Sequence, residues 1–321
     1  MATMDIDNFD EVTYQPLADS YALDEAEDFR VFPLQYGHAV EEPRQNLGAL
    51  DALPLELIQS TLSLVDLETL QHFRRVNRRA LKVVDGMPEY KAVATFAQNA
   101  LRGIQIIKAD RWNTCEALYK AICTAECETC GDFGGYLYLL TCKRVCFLCF
   151  THNEIFRPLS FSYASEVFDI RKRDIKKLPH MENVPGAYSF RRFSRPKRRN
   201  FVDHRSVCQE SLTLHGSTCT VEQCVPPPTK QEREKDFGET RMEMTTGGTG
   251  KHCPERYIAI VRAPALNPAT RELEFGVHCV ACRDSYHEHL STQRYRKYTR
   301  ASFAAHLAEF GPIERTKHIR R

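Results

Sequence analysis

Apolar residues recur at helical spacing between residues 53 and 84. Pro54 stands where a helix can begin, because its missing N–H would have no helical partner there in any case. The apolar positions around it share one helical face: Leu53, Leu57, Ile58 and Leu62. Asp66 is a good N-cap for a second helix, and Asn77 for a third that Gly86 ends. The pattern therefore predicts three short amphipathic helices, which are too short to be stable unless they pack together.

Further along the chain, the pattern predicts two more helices and a few short strands. The helices span residues 89–107 and 114–125. A β-prone run at 136–140 favours a hairpin. Residues 256–262 and 272–278 predict the two strands of a second hairpin, which a C-terminal helix follows. We therefore expect a mainly α fold with small β hairpins, of the α+β class.

Charge is unevenly distributed along the chain. The 321 residues carry a formal net charge of +2, and their 42% apolar content is enough to fill a core. Residues 1–46 contain 11 Asp or Glu but only two Arg, with few aliphatic residues at a regular period. This composition predicts a flexible acidic arm with little stable structure.

The sequence does not point to export or to a membrane. Asp5, Asp7 and Asp10 occupy positions where a secretory leader needs a basic stretch and then an apolar run. The apolar stretches are far shorter than the roughly 20 residues that span a bilayer. We therefore predict an intracellular protein, in the cytoplasm, the nucleus or both. In that reducing compartment the 13 cysteines are not expected to form a disulfide framework.

Paired cysteines instead indicate a metal site. Cys127 and Cys130 are separated by fifteen residues from Cys146 and Cys149. Two Cys-x-x-Cys pairs at this separation match the tetrahedral zinc pattern, and four thiolates would leave no position for a reacting water, so the role would be structural. Cys142, shortly before Cys146, is an alternative ligand. The competing interpretation is a set of buried free cysteines.

The order of residue types adds a family resemblance to the three predicted helices. Periodicity alone predicts only a small packed subdomain. The chain has Leu-Pro-x-Glu-Leu-Ile from Leu53, and Leu-x-x-Leu-x-x-Phe-Arg-x-Val-Asn-Arg from Leu67 to Arg78. This arrangement resembles the F-box, which implies docking to a Skp-type adaptor and, through it, to a cullin-RING ubiquitin ligase. The implied adaptor-binding residues are Leu53, Pro54, Leu57, Ile58, Leu62, Leu67 and Leu70.

The resemblance extends beyond the F-box. Cys-x-x-Cys-Gly-x-x-Gly-Gly-x-Leu begins at Cys127, and Thr-Cys-x-Arg-x-Cys-Phe-x-Cys-Phe ends at Phe150. Over roughly residues 53–168 the chain is similar to a large group of filamentous-fungal F-box proteins whose targets are mostly uncharacterised. The resemblance implies a subunit of the ubiquitin-conjugation pathway with an unknown protein target.

A basic patch and a low-complexity stretch follow. The patch suggests a nuclear import signal, contacts to phosphate or simply a solvated loop. Its cations are Arg191, Arg192, Arg195, Lys197, Arg198 and Arg199. Residues 225–250 contain consecutive prolines and a glycine-rich end, which predict a linker or long loop.

A second, incomplete metal pattern lies near the C-terminus. Cys279 and Cys282 form one Cys-x-x-Cys pair, and His306 on the predicted last helix is a candidate third ligand. The family resemblance implies a closing Cys, but Phe310 stands at that position. The alternative to a metal site is an ordinary hairpin with exposed histidines. The possible fourth ligands are His287, His289, Cys253 and His318.

These predictions divide the chain into an acidic arm (1–46), an F-box (47–90), a helical region with a zinc-ribbon-like site (91–190), a basic patch and linker (191–250), and a hairpin with a C-terminal helix (251–321). We expect a non-catalytic substrate-recognition subunit with one zinc ion, and with a second zinc ion if the C-terminal pattern has a fourth ligand. The alternative is a zinc-dependent nucleic-acid-binding or transcription regulatory protein, although nucleic acid is the less favoured partner. The chain has no His-Glu-x-x-His, Gly-x-Ser-x-Gly or dinucleotide fingerprint, so catalysis is not expected.

Overall fold

Helices and short antiparallel strands make up the fold. The computed structural model describes residues 9–15, 22–25, 29, 46–188, 193–195, 197–216, 254–283 and 293–319. The helices are α1 (Phe9–Val12), α2 (Leu55–Leu64), α3 (Leu67–Arg74), α4 (Arg78–Asp85), α5 (Pro88–Phe96), α6 (Gln98–Ile106), α7 (Cys115–Cys123), α8 (Phe147–His152), α9 (Phe161–Val167), α10 (Lys172–Ile175), α11 (His204–His215), α12 (Val280–Arg283) and α13 (Arg300–Phe310). The strands are β1 (Thr13–Tyr14), β2 (Tyr136–Tyr138), β3 (Lys143–Val145), β4 (Leu159–Ser160), β5 (His180–Glu182), β6 (Gly186–Tyr188), β7 (Phe193–Arg195), β8 (Asn200–Val202), β9 (Ile260–Arg262), β10 (Ala265–Leu266), β11 (Leu273–Glu274), β12 (His278–Cys279), β13 (Ile313–Glu314) and β14 (Lys317–His318). The predicted α+β class is confirmed, and within the described ranges no helix has the length and apolar character needed to cross a membrane.

The three predicted N-terminal helices are present as α2, α3 and α4. The Asp66 side chain caps α3 by accepting a first-turn N–H at 2.8 Å, and the Asn77 side chain caps α4 in the same way at 2.8 Å. A partly buried ion pair joins the two helices, with Arg74 Nε 2.6 Å from Asp85 Oδ1. The predicted caps are therefore confirmed, and Gly86 ends α4 as expected.

The predicted helix over 89–107 is instead two helices, α5 and α6. The chain bends at Ala97, whose φ of −135° and ψ of 43° are not helical. After the bend, α6 lies close to the central strands, because a Cβ at Gly103 would be only 2.6 Å from Leu139 Cδ1. The next predicted helix is confirmed as α7, with Thr114 as its N-cap.

The centre of the molecule is a three-stranded antiparallel sheet in the order β3-β2-β9. The predicted hairpin at 136–140 is confirmed, since Tyr136 pairs with Val145. The predicted pairing of 256–262 with 272–278 is wrong, because β9 pairs with β2 and the local hairpin is formed by β10 and β11. Ile260 and Val261 are completely buried. Pairing with β2 in the core buries both side chains, whereas a two-stranded hairpin on the surface would leave them partly exposed.

Part of the region predicted as a basic patch and linker, residues 191–250, is regular structure. Strand β8 is the central strand of a second sheet, in the order β4-β8-β5, and α11 follows it with Asp203 as N-cap. These elements enclose a small separate core: Leu159, Ala164, Phe168, Ile170, Ile175, Val202, Val207 and Cys208. Residues 200–216 precede the linker predicted at 225–250, and their apolar partners come from a distant part of the chain. Residues 217–250 lie outside the described ranges.

Several described residues of the acidic arm pack on the rest of the chain, which corrects the prediction of a flexible segment for those residues. Leu23 and Phe29 are buried in the main core, and β1 pairs with β12. Asp10 and Glu11 remain exposed on α1, so the arm can bury its few apolar residues without burying these charges. The average composition of residues 1–46 does not show that single apolar side chains within them are buried against the rest of the chain.

Candidate metal centres and docking surface

The first candidate centre lies in the chain between α7 and the start of α8. Its two cysteine pairs are connected in sequence by the β2–β3 hairpin. Cys127 and Cys130 belong to a tight turn in which Gly131, with a φ of 75°, donates its N–H to the Cys127 carbonyl at 2.9 Å. Cys146 is the N-cap of α8 and its Sγ accepts the Cys149 N–H at 3.4 Å. The hairpin thus brings the two predicted Cys-x-x-Cys pairs together.

The four sulfurs form a compact cluster that fits a metal ion. The Sγ atoms of Cys127, Cys130, Cys146 and Cys149 all lie within 4.8 Å of one another, and those of Cys130 and Cys146 are 3.6 Å apart. A tetrahedral ion with thiolates at about 2.3 Å requires sulfur separations of about 3.8 Å. None of the four cysteines is in a disulfide bond. Hydrogen bonds from Cys130, Cys146 and Cys149 lower the pKa of Cys127, which favours the thiolate form that a metal requires.

Cys142, the alternative ligand, does not belong to this cluster. It lies in the turn between β2 and β3 with a φ of 49°, and its side chain is buried in the main core. Burial raises the pKa of its thiol to about 12, so the thiol stays protonated at neutral pH. We therefore assign Cys142 to the core and not to the metal centre.

Arg144 fixes the cysteine-bearing hairpin to its surroundings. The buried guanidinium donates to five backbone carbonyls, those of Ala121 (2.9 Å), Ile122 (3.4 Å), Gly134 (2.6 Å), Ala263 (2.8 Å) and Pro264 (2.9 Å). Two of these carbonyls belong to the last turn of α7, where a cation is favoured. Burial lowers the pKa of Arg144 to about 10, so it remains charged at neutral pH. One side chain thus joins β3 to α7 and to the segment before β10.

The second candidate centre is formed by four C-terminal elements, β12, α12, α13 and β14, and contains Cys279, Cys282, His306 and His318. Their ligand atoms all lie within 4.8 Å of one another. His306 Nε2 is 3.5 Å from Cys282 Sγ, and His318 Nε2 is 3.4 Å from the sulfurs of both cysteines. A tetrahedral ion with imidazole at about 2.0 Å and thiolate at about 2.3 Å requires separations of about 3.5 Å. These residues therefore also fit a metal ion.

His318 is the fourth member of this set, which the sequence pattern left open. His287, His289 and Cys253 lie outside the described ranges. After α13 ends at Gly311, the β13–β14 hairpin reverses the chain and returns His318 to the cysteines. Its Nδ1 is 2.9 Å from the Gly311 carbonyl oxygen, and this contact directs Nε2 toward the sulfurs. The signal in the sequence was the helix-ending glycine followed by a short turn.

The Phe310 ring and the shifted pKa values of Cys279 and His318 describe the surroundings of the second centre. The Phe310 ring lies 4.8 Å from the His306 ring and 5.9 Å from the His318 ring, so it covers the histidines and supplies no ligand. The hydrogen bond with Cys282 lowers the pKa of Cys279 to about 3. Burial lowers the pKa of His318, but hydrogen bonds with Cys279 and the Gly311 carbonyl raise it above its usual value. The lowered pKa of Cys279 favours its thiolate form, whose negative charge a cation would neutralise.

The three-helix segment has a buried face and an exposed face. Four of the predicted adaptor-binding residues are buried in the main core: Ile58, Leu62, Leu67 and Leu70. Their predicted role is corrected, because their side chains are already covered by this chain. The others are exposed, with Leu53 at 46% and Leu57 at 55% of full exposure beside Pro54. Leu64, two helical turns after Leu57 on the same face, is 71% exposed.

Exposed apolar side chains are concentrated on this segment. Six of the eleven exposed large hydrophobic residues in the described ranges lie between residues 50 and 76: Leu50, Leu53, Leu55, Leu57, Leu64 and Val76. Such a concentration is typical of a protein interaction surface. No family model, curated protein or solved structure matches this chain. The resemblance to F-box proteins rests on the residue order quoted above.

The basic patch is described only in part. Arg191 and Arg192 lie outside the described ranges, and Arg195 lies in β7. The remaining three cations are exposed: Lys197, Arg198 and Arg199. The Arg198 guanidinium donates to the Ile106 carbonyl at 3.5 Å. One of the cations is therefore held against the end of α6.

Proposed function

We propose that this chain is the substrate-recognition subunit of a cullin-RING ubiquitin ligase, of the F-box type. The observation that carries the proposal is the exposed row of Leu53, Pro54 and Leu57 on a three-helix segment whose opposite face fills the core. The residue order Leu-Pro-x-Glu-Leu-Ile supports the same assignment. The chain would bind a Skp-type adaptor and a protein target, while ubiquitin transfer would be catalysed by other subunits.

Docking would follow the pattern in which apolar residues of a helix enter a groove of the partner. Leu57 and Leu64 would supply side chains from α2, and Leu53 and Pro54 would supply them from the segment before it. Ile58 and Leu62 would stay in the core and hold α2 in position. This division separates the residues that bind the adaptor from those that support them.

Leu53→Asp combined with Leu57→Asp is expected to abolish adaptor binding without unfolding the chain. Both side chains are exposed, so the folded chain loses no core contact. A single interface anchor contributes about 2 kcal/mol, which corresponds to roughly thirtyfold in affinity, and carboxylates in an apolar groove add a desolvation cost. Calorimetric titration with the purified Skp-type adaptor measures the effect.

Leu212→Asp combined with Leu214→Asp is the matched control, because these leucines on α11 are similarly exposed, at 44% and 52%. The control should bind the adaptor as the wild-type chain does. Failure of the wild-type chain to bind the adaptor, or equal binding by both double variants, would refute the proposed docking face.

Both candidate centres are proposed to hold zinc in a structural role. Zinc accepts four-Cys and two-Cys, two-His donor sets in tetrahedral geometry. Each cluster supplies four protein donors, so bound zinc would have no open position for a substrate or a reacting water. The ion would link elements distant in sequence, and the reactive chemistry would lie elsewhere in the ligase.

His318→Ala is expected to reduce bound zinc from two ions per chain to one, because it removes one donor from one of the two clusters. The first cluster and the three-helix segment are formed by other residues, so adaptor binding should remain. Elemental analysis of the purified chain measures the loss. His215→Ala is the control, since His215 lies on α11, outside both clusters. Two ions retained by His318→Ala would exclude His318 as a ligand.

Zinc-dependent nucleic-acid binding remains a second candidate function, and the exposure of Lys197, Arg198 and Arg199 is the observation that favours it. Phosphate contacts by such cations would make binding steeply dependent on salt. A labelled DNA duplex titrated at several salt concentrations would support this candidate only if binding is lost when the three cations are changed to Gln.

A further inference from the structure

The N-terminal segment, residues 9–14, covers one face of the second candidate centre. Strand β1 pairs antiparallel with β12, so that Thr13 lies opposite Cys279 and Tyr14 opposite His278. Cys279 is a member of the metal cluster. The segment therefore lies along a strand whose end is held by the metal centre.

Aromatic side chains anchor both ends of this segment. The Phe9 ring contacts the Phe303 ring edge-on at 5.5 Å, and the Arg300 guanidinium carbon lies 4.7 Å from the centre of the Phe9 ring. Tyr14 lies between the His278 ring at 5.4 Å and Arg283 at 5.3 Å. Contacts of these two kinds contribute about 0.5–1.5 kcal/mol each.

The segment has the form of a bound peptide. Helix α1 has four residues and β1 has two, which is too little to be stable without the surface beneath. Addition of a short strand to a sheet edge, with side chains in flanking pockets, is a common mode of peptide recognition. Asp10 and Glu11 are exposed between the two anchors, and two exposed cations, Arg283 and Arg300, lie against the anchor rings. The surface thus complements an acidic segment with an aromatic residue at each end.

We propose that β12 with Phe303, Arg283 and Arg300 forms a binding site for acidic peptides flanked by aromatic residues, and that residues 9–14 occupy this site within the same chain. The site would receive a motif of the target protein, and this last assignment rests on the proposed function. Peptide binding itself does not depend on that function.

The attachment of the segment explains how it competes with an external peptide. Only residues 16–21 separate Gln15 from Ala22, which is buried in the main core. A short tether of this kind holds a segment at an effective concentration in the millimolar range. To displace the internal segment, an external peptide therefore has to be present above that concentration or bind the site more tightly than the internal segment does. Weakening the internal segment should open the site.

A fluorescent peptide of residues 7–15 tests the proposal with full-length protein. The peptide is expected to bind the double variant Phe9→Ala, Tyr14→Ala at least about tenfold more tightly than the wild-type chain, because the tethered competitor is weakened. Adding Arg300→Glu to the double variant should reduce binding again at least about tenfold through charge reversal. Arg173→Glu, an exposed cation on α10, is the matched control and should leave binding unchanged. Fluorescence anisotropy measures each affinity.

Zinc content and adaptor binding are measured on the same samples. Equal binding to the wild-type chain and the double variant, or no binding to a double variant that retains its zinc, would overturn the proposed site. Loss of zinc from the double variant would also overturn it, since the segment would then be part of the metal centre and not an exchangeable ligand. Peptide binding by a chain that fails to bind the Skp-type adaptor would leave this site standing and refute the proposed function alone.

Discussion

Cys146→Ser is expected to remove one zinc ion per chain and to unfold the central sheet. Serine can still cap α8, because its hydroxyl accepts a backbone N–H as the Cys146 sulfur does, so the substitution mainly removes a ligand. Structural zinc sites contribute about 10–16 kcal/mol in small modules. The net stability of a typical domain is about 5–15 kcal/mol. Loss of the ion can therefore remove all of the stability of the region around β2 and β3.

Cys142→Ala is the control for this prediction. Cys142 lies in the same hairpin and is equally buried, but its sulfur is not part of the cluster. Loss of a small buried side chain should cost about 1 kcal/mol, and both ions should stay bound. Elemental analysis gives the zinc content, and thermal unfolding followed by circular dichroism gives the stability. Zinc lost from Cys142→Ala and retained by Cys146→Ser would reverse the assignment of ligands.

The features that could be predicted from the sequence depend on nearby residues. Asp66, Asn77 and Thr114 cap helices through backbone groups three residues away. Cys127 and Cys130 fix a turn, and the β-prone run after them forms the hairpin that carries the second pair of cysteines. Residue type and spacing are sufficient where the interacting groups lie within one turn or one hairpin.

The features that the sequence did not reveal depend on partners distant in the chain. Strand β9 was predicted as a strand, but its pairing with β2 is set by burial on both sides of the sheet. His318 joins the second candidate centre only because the β13–β14 hairpin places it beside Cys279. The described residues 9–14 of the acidic arm depend on contacts with Phe303 and β12. These pairings and contacts depend on tertiary packing, which cannot be read from a single sequence.

The faces of α2 illustrate the same limit within the proposed docking segment. Its helical period placed Leu57, Ile58 and Leu62 on one apolar stripe, yet Ile58 and Leu62 are buried and Leu57 is exposed. The apolar stripe of α2 is wide enough to contact both the core and a partner. The position of the neighbouring helices decides which of its residues are buried and which are exposed. The division limits the proposed interface to residues that can be changed without cost to the fold.

Arg144→Met is expected to destabilise the chain by at least about 3 kcal/mol. Methionine fills most of the space but cannot donate, so carbonyls of α7, Gly134 and the segment before β10 lose their partner. Each buried acceptor left unpaired costs about 1–3 kcal/mol, and several are affected together. Chemical denaturation at neutral pH measures the change in the free energy of unfolding. Arg111→Met, at an exposed arginine, should change it by less than about 0.5 kcal/mol.

The two destabilising substitutions should also differ in their dependence on zinc. Arg144 holds the hairpin through hydrogen bonds, whereas Cys146 belongs to the metal cluster, so added zinc should partly restore Arg144→Met by mass action on the folded state. Cys146→Ser should not respond at the first centre because a ligand is missing. If zinc instead fails to stabilise Arg144→Met at all, Arg144 would be required to form the centre itself, because the cysteine pairs would then not meet without it.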